Sequence, residues 1–264
     1  MAIVQPVIWL GLFGKAFNLT GILNIPPEVL SQLPPDATAS LAKVFNTMLA
    51  SVFGGTTDYF SYMAAGMLSI IVLFTSMFSG MGIAWDRRLG FLNKLLVAPI
   101  PRGAIIISRV FSSVIRGVFQ AAIVFVIAIA FGLKVGNAFS ILDLGTLFAA
   151  LFLLSTGLSS LFISITVRLK SWESQMAVMN LLNLPLMFAS NALFPIKQMP
   201  GWLQIIARFN PISYATDAVR QSILHNVGSL DVSTLIFDFI VLLGFSAIFT
   251  SSGILLAERS LRKG

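Results

Sequence analysis

The chain has 264 residues, of which 57% are hydrophobic and 10% are charged, and its formal net charge is +7. Soluble globular domains carry roughly 25% charged residues, so this composition indicates an integral membrane protein. There is no cysteine and a single histidine, His225, which excludes a disulfide framework, a thiolate metal site and a histidine cluster. Basic residues spread along such a chain indicate orientation and contact with anionic lipid, and no nucleic-acid partner is expected.

Long apolar runs predict six transmembrane helices in a single domain over residues 1–264. The predicted spans are residues 1–23, 59–85, 104–133, 144–167, 174–196 and 232–257. A cleaved signal peptide is the competing interpretation of the first run, but it has neither a basic n-region nor a small-residue cleavage site. The expected fold is therefore an all-α integral membrane bundle, with membrane lipid around it.

A charged stretch between spans two and three predicts an amphipathic helix over residues 86–98. Its apolar stripe consists of Leu89, Leu92, Leu95 and Leu96, and its polar side carries Asp86, Arg87, Asn93 and Lys94. Pro99 and Pro101 end the predicted helix, because proline cannot donate to the helical backbone ladder. A short helix lying across the ends of two spans is expected to dock a soluble partner.

Two features of the later spans are informative. Arg116 in span three precedes 17 uncharged residues, which cover about 25 Å as a helix. Its side chain either snorkels to the membrane interface or faces a polar cavity, and both interpretations stay open. Pro185 is expected to kink span five.

Residues 195–230 are too polar and too rich in proline to span the membrane, yet too apolar for an ordinary loop. They predict short helices in the membrane interface, with Trp202 and Tyr214 at the level of the lipid headgroups. Asp217 and Arg220, three residues apart, could form a local ion pair that braces one of these helices.

Counting basic residues at the span ends predicts the orientation. One side holds Arg87, Arg88, Lys94, Arg102, Arg109, Arg168, Lys170, Arg259, Arg262 and Lys263. The opposite side holds Lys43, Lys134, Lys197, Arg208 and Arg220. The positive-inside rule places the 86–109 loop and the C-terminus in the cytoplasm of a multi-pass protein of the cell membrane.

Two segments now show a family resemblance. The first, DRRLGFLNKLLVAPIPR at 86–102, resembles the cytoplasmic coupling helix of type 2 ABC exporter permeases, most like the daunorubicin-resistance and drug or lipid exporter branch. The second comprises LFP at 193–195, MPGWL at 199–203 and NPISYATDAVR at 210–220, and resembles that family's outer re-entrant helices, here 199–224. Two departures are Arg88, where an acidic residue is common, and the short segment before span one.

The resemblance implies three sets of site residues. Coupling to the ATPase would involve Asp86, Arg87, Leu89, Gly90, Leu92, Asn93, Lys94, Leu95, Pro99 and Arg102. The outer re-entrant motif would comprise Pro195, Pro200, Trp202, Asn210, Pro211, Tyr214, Asp217 and Arg220. A cargo path between two copies, along spans one, two and five, could include Phe13, Phe74, Met77, Phe78, Met187 and Phe188. Methionine and aromatic side chains accept many cargo shapes, although each could instead face lipid or a neighbouring helix.

The function that follows is that of the permease subunit of an ATP-driven exporter, moving a hydrophobic or amphipathic compound such as a drug or lipid. The chain has no GxxxxGK[ST] phosphate loop, so it is not expected to be an enzyme or to hold a cofactor. ATP and Mg would bind a separate ATPase subunit, and the permease is expected to pair as a homodimer. Alternatives are a polysaccharide or glycoconjugate exporter, a membrane anchor or sensor, and an ion-coupled secondary transporter. The last is disfavoured because Asp238 is the only acid inside a predicted span.

Overall fold

The computed structural model of the chain describes residues 4–16, 58–91, 101–169, 171–225 and 230–260, and isolated positions at 40, 43, 44, 47, 48, 53 and 97. The long helices are α1 (Val4–Ala16), α2 (Tyr59–Arg88), α3 (Arg102–Ala130), α4 (Ile141–Arg168), α5 (Trp172–Phe188), α6 (Gly201–Phe209), α7 (Pro211–Leu224) and α8 (Val232–Ser260). A 3-10 turn, Ile196–Gln198, precedes α6. Within these described ranges there is no strand, which confirms the all-α prediction.

Four helices are long and apolar enough to cross a membrane: α2, α3, α4 and α8. They correspond to predicted spans two, three, four and six. The described part of α1 has 13 residues and α5 has 17, which is short of the roughly 20 that a span requires. A full count of six spans therefore stays a prediction.

The centre of the bundle is α4, which packs against α2, α3, α7 and α8, while α2 also contacts α1 and α5. Leu147, Leu151, Leu154, Leu158 and Phe162 form its fully buried stripe. Small and hydroxyl-bearing side chains allow α2, α3 and α4 to approach closely, as is usual for helices that pack in lipid. Ser159 Oγ, for example, lies within hydrogen-bond distance of Ser76 Oγ, at 3.1 Å, and of Ser113 Oγ, at 2.7 Å.

The two motifs found in the sequence lie at opposite ends of this bundle. At one end of the bundle, α6 and α7 lie beside the first residues of α2 and α4. Ser222 of α7 hydrogen-bonds to Thr146 of α4, and Arg220 of α7 contacts Tyr62 of α2. We call this end of the bundle the α7 end. The other holds the end of α2 and the start of α3, and we call it the loop end. Which of the two faces the cytoplasm stays a prediction.

Two of the helix boundaries that differ from the sequence expectation affect the ends of the bundle. The α2 helix continues to Arg88, so residues 86–88, predicted to open the coupling helix, form the last turn of α2 instead. Gly90 then adopts a φ of 72°, which favours glycine and turns the chain. The α5 helix ends at Phe188, eight residues before the predicted end at Ile196. Pro185 lies in its last turn, and an irregular segment, 189–195, follows.

Candidate functional site

The start of α7 is fixed by Asn210 and Pro211. Asn210 Oδ1 accepts a hydrogen bond from the Ile212 N–H at 3.0 Å, and Pro211 occupies the first helical position, where its missing N–H costs nothing. Asn210 Nδ2 also donates to the carbonyls of Leu186 at 2.8 Å and Ala189 at 2.7 Å. One asparagine therefore both caps α7 and ties it to the end of α5.

Arg220 connects α7 to α2 and to the 189–195 segment. Its side chain is buried, with 5% exposed, and its guanidinium donates from Nε to the Tyr62 carbonyl at 3.2 Å and from Nη2 to the Ala192 carbonyl at 2.9 Å. The guanidinium also lies 3.4 Å from the centre of the Tyr62 ring. We call Arg220, Tyr62 and Ala192 the Arg220 clamp. The guanidinium is planar and its N–H donors point in fixed directions, which suits two acceptors on separate segments. A lysine ammonium group would not match this geometry.

The clamp depends on a close backbone approach between α2 and the 189–195 segment. A Cβ atom added at Gly66 would lie 2.0 Å from the Ala192 carbonyl oxygen, the same oxygen that accepts from Arg220. The Tyr62 hydroxyl donates to the Asn191 carbonyl at 3.1 Å. Only glycine at position 66 leaves room for this arrangement.

Asp217 and Arg220 do not form the predicted local brace through a direct hydrogen bond, because the two side chains bind different groups. Asp217 Oδ1 accepts from Asn191 Nδ2, whereas Arg220 uses main-chain carbonyls. The two charges still interact electrostatically. Both residues hold α7 against other segments, so they act across the fold and not within one helix.

A polar cavity of about 530 Å³ opens beside these groups. It is lined by Tyr62, Asn191, Pro195, Ile196, Lys197, Asp217, Arg220, Gln221, Asp231 and Thr234. Asp231 at its rim precedes α8, and hydrogen bonds from Thr234 and Ser233 lower the pKa of this carboxyl to about 2. The rim carboxylate is therefore ionised at neutral pH.

The remaining residues of the outer motif shape its surface. Pro195 is buried and precedes the 3-10 turn, and Pro200 directly precedes α6. The α6 helix exposes Trp202, at 66%, together with other apolar side chains, as expected of a helix in the membrane interface. Tyr214 donates its hydroxyl to the Arg208 carbonyl and so links α7 back to α6.

At the loop end, the described coupling residues combine one ion pair with exposed apolar side chains. Asp86 pairs with Arg109, joining the end of α2 to α3, and the rings of Trp85 and Trp172 lie 5.0 Å apart. Leu89 is 74% exposed, next to Gly90. Leu92, Asn93, Lys94, Leu95 and Pro99 lie outside the described residues, as do the side chains of Arg87 and Arg102.

The predicted cargo-path residues do not share one surface. Phe74, Met77 and Met187 are buried, whereas Phe78 and Phe188 are exposed, and the side chain of Phe13 lies outside the described part. Phe74 and Met187 do meet in an apolar crevice, where α1, α2 and α5 come together. The crevice is lined by Trp9, Met67, Ile70, Phe74, Met187 and Leu193, and it is too narrow to admit water.

Arg116 is exposed on α3, and its Nε donates to the Ser112 carbonyl at 3.2 Å, one turn nearer the loop end. Its side chain therefore bends back toward the loop end, which favours the snorkelling interpretation.

Sequence reasoning missed several residues that build these sites. Tyr62, Gly66, Asn191 and Ala192 lie in runs whose composition only indicates a membrane span. The ion pair between Arg109 and Asp86 could have been predicted, because the two residues carry opposite charges at the two ends of one charged loop.

Four helices are long and apolar enough to cross a lipid bilayer, with a charged loop at one end and short helices that expose apolar side chains at the other. This arrangement defines a multi-pass membrane protein. Residues 1–224 match the protein family described as ABC-2 type transporter, and the chain belongs to that family.

Curated relatives agree with this assignment. "Putative transport permease ycf38" of Cyanophora paradoxa is 28% identical, over 94% of this chain and 81% of that protein. The daunorubicin resistance ABC transporter permease protein DrrB1 of Streptomyces coeruleorubidus is 26% identical, over 72% of this chain and 68% of that protein. "Probable multidrug ABC transporter permease YbhR" of Escherichia coli K12 is 27% identical over 80% of this chain, which spans 55% of its length. The chain is thus a membrane subunit of an ABC transporter.

Proposed function

We propose that this chain is the permease of an ATP-driven exporter that moves a hydrophobic or amphipathic compound, drug-like or lipid-like, across the cell membrane. A separate ATPase subunit would supply the energy by binding the loop end from the cytoplasm. Family membership supports the transporter role, and two relatives bear names that refer to drug transport or resistance.

The observation that carries the ATPase contact is the chemistry of the loop end. Leu89, Phe91 and Val97 are exposed between α2 and α3, and the charged pair Asp86 and Arg109 joins those two helices. Exposed apolar side chains rimmed by charge are typical of a surface that binds another protein. An amphipathic helix that fits a groove of the ATPase would transmit the closure of that subunit to α2 and α3.

Pairing of two permease copies is supported by α1 and α5. Both helices contact α2 on one side, and each exposes large apolar residues on its other side, including Leu12 and Leu181. The crevice lined by Phe74 and Met187 lies where these helices meet, so a cargo path between two copies would pass beside it.

The test compares Leu89→Asp with Ile141→Asp. Leu89 and Ile141 are exposed to a similar extent, 74% and 79%, but they lie at opposite ends of the bundle. We expect Leu89→Asp to abolish co-purification of the ATPase and to reduce ATP-driven cargo uptake into inverted vesicles by at least about tenfold, a loss of roughly 1.4 kcal/mol in binding.

Ile141→Asp should retain the ATPase. If both variants behave alike, the loop end is not the docking surface. Uptake that persists without ATP but stops when the ion gradient is collapsed would instead support an ion-coupled transporter.

A further inference from the structure

The α6 helix has an apolar face that the described part of the chain leaves uncovered. Trp202, Ile205, Ile206 and Phe209 recur at the spacing that places side chains on one face of a helix, and they are between 45% and 85% exposed. The buried residue of α6 is Ala207. In the described structure α6 packs mainly on α7 and on the 3-10 turn, so the apolar face lies away from those contacts.

A positive charge lies next to this face. Arg208 directly precedes Phe209, is exposed, and forms no ion pair within the described part of the chain. Neither α6 nor the 3-10 turn before it contains an acidic residue. Lys197 is a second exposed cation, but it lines the polar cavity together with Asp231. Arg208 is therefore the residue that contributes charge beside the apolar face.

A second copy of the chain is a poor match for this surface. A two-fold interface places the same patch of both copies in contact, so it would bring one Arg208 side chain close to the other. Like charges close together oppose association, and α6 offers no acidic residue to separate them. The charge beside the face instead matches an anionic partner.

A lipid surface fits both properties of α6. Its acyl chains can cover an apolar helix face, and tryptophan is typical of the boundary between acyl chains and headgroups. Arginine binds phosphate with two parallel hydrogen bonds. In a zwitterionic lipid the phosphate stands beside a positive group, whereas an anionic lipid has no such group to oppose Arg208. The charge of the helix therefore favours the anionic lipid.

We propose that α6 binds an anionic phospholipid, with its apolar face among the acyl chains and Arg208 on the lipid phosphate. A basic residue near an anionic membrane surface strengthens binding roughly fivefold. The Tyr214 hydroxyl donates to the Arg208 carbonyl, and Asn210 caps α7 directly after α6. A lipid held by α6 would therefore also help to position α7.

The absence of cysteine from the sequence makes a single introduced cysteine a unique site for a spin label. A label at Ile205→Cys reports from the apolar face of α6, and a label at Leu243→Cys, which is 59% exposed on the long helix α8, is the control. The full chain is placed in nanodiscs of phosphatidylcholine with increasing fractions of phosphatidylglycerol that has the same acyl chains. Collision of the label with oxygen, which concentrates among acyl chains, is compared with collision with a neutral nickel chelate, which stays in water.

We expect phosphatidylglycerol to raise the ratio of oxygen to nickel accessibility at position 205 and to leave the ratio at position 243 unchanged. In the Ile205→Cys background, Arg208→Gln should raise the fraction of phosphatidylglycerol needed for half of this change about fivefold. Arg208→Lys keeps the charge and should leave that fraction nearly unchanged. Added salt should weaken the response, because it screens exposed charges.

Four results would overturn the proposal. The label at position 205 could stay accessible to nickel at every lipid composition, or be fully protected in phosphatidylcholine alone. Low accessibility to oxygen and nickel together would show that protein covers the face, as a second copy would. Equal behaviour of Arg208→Gln and Arg208→Lys would remove the role of the arginine charge.

Phe209→Cys provides the same comparison if Ile205→Cys does not fold, because Phe209 lies on the same face and is 85% exposed. The measurement requires no ATPase and no cargo, so its failure is distinct from a failure of the proposed function.

Discussion

The α7 end and the loop end use their polar side chains in opposite ways. At the α7 end, Arg220, Asn210 and Tyr62 all bond to main-chain carbonyls of other segments, so the polar groups hold the fold together. At the loop end, Asp86 and Arg109 form one partly exposed pair, while Leu89 is left in solvent. The polar side chains of the α7 end thus join its own segments to one another, whereas the described part of the loop end leaves large apolar side chains exposed.

The largest expected effect comes from removing the charge of the Arg220 clamp. Arg220→Leu leaves the Tyr62 and Ala192 carbonyls without their donor and leaves Asp217 buried beside no positive charge. We expect a loss of about 3–5 kcal/mol in unfolding free energy, because breaking a buried charged network by removing one partner is strongly destabilising. Thermal unfolding of the purified protein in detergent measures it.

Arg208→Leu is the control for this change, because Arg208 is exposed on the adjacent α6. Its expected effect is within about 0.5 kcal/mol. Equal stability of the two variants would show that Arg220 does not hold the α7 end together.

A smaller effect is expected at the glycine beside the clamp. Gly66→Ala places a methyl group against the Ala192 carbonyl and should force α2 away from the 189–195 segment, at a cost of about 1–3 kcal/mol. Gly244→Ala in α8 meets nothing within 4 Å and should be neutral or stabilising by up to about 1 kcal/mol. Denaturation of both variants provides the measurement, and destabilisation by Gly244→Ala alone would contradict the packing argument.

The smallest effect should come from the ion pair at the loop end. Asp86→Asn removes one charge of a pair whose side chains are 18% and 29% exposed, so we expect a loss of about 1 kcal/mol or less, decreasing with added salt. Arg116→Gln removes a like charge that interacts with Arg109, so it should not reproduce this loss. A loss comparable with that of Arg220→Leu would remove the contrast between the two ends.

The sequence was sufficient where residue type determines structure. Long apolar runs predicted four of the spans, because a bilayer core favours apolar side chains. Proline and asparagine at 200, 210 and 211 lie at the starts of α6 and α7, as these residue types favour. The placement of the two motifs at opposite ends followed from the same runs, since consecutive spans alternate direction.

The partners of Arg220 could not be predicted, for a physical reason. Tyr62 and Ala192 contribute carbonyl oxygens, which every residue has, and they lie 158 and 28 positions away in the chain. The end of α2 was misjudged for a related reason. Trp85 looked like the end of an apolar run, but the helix continues through Asp86 to Arg88, and Asp86 pairs with Arg109 of α3.

A guanidinium that binds main-chain oxygens does not depend on which side chains its two acceptor segments carry. Side chains along 189–195 other than Asn191, which binds Asp217, can therefore be exchanged without removing the oxygen that anchors Arg220. The arginine and the nearby glycine must stay, and the surrounding wall is free to diversify. This separates structural constraint from adaptability within a few ångströms of the same cavity.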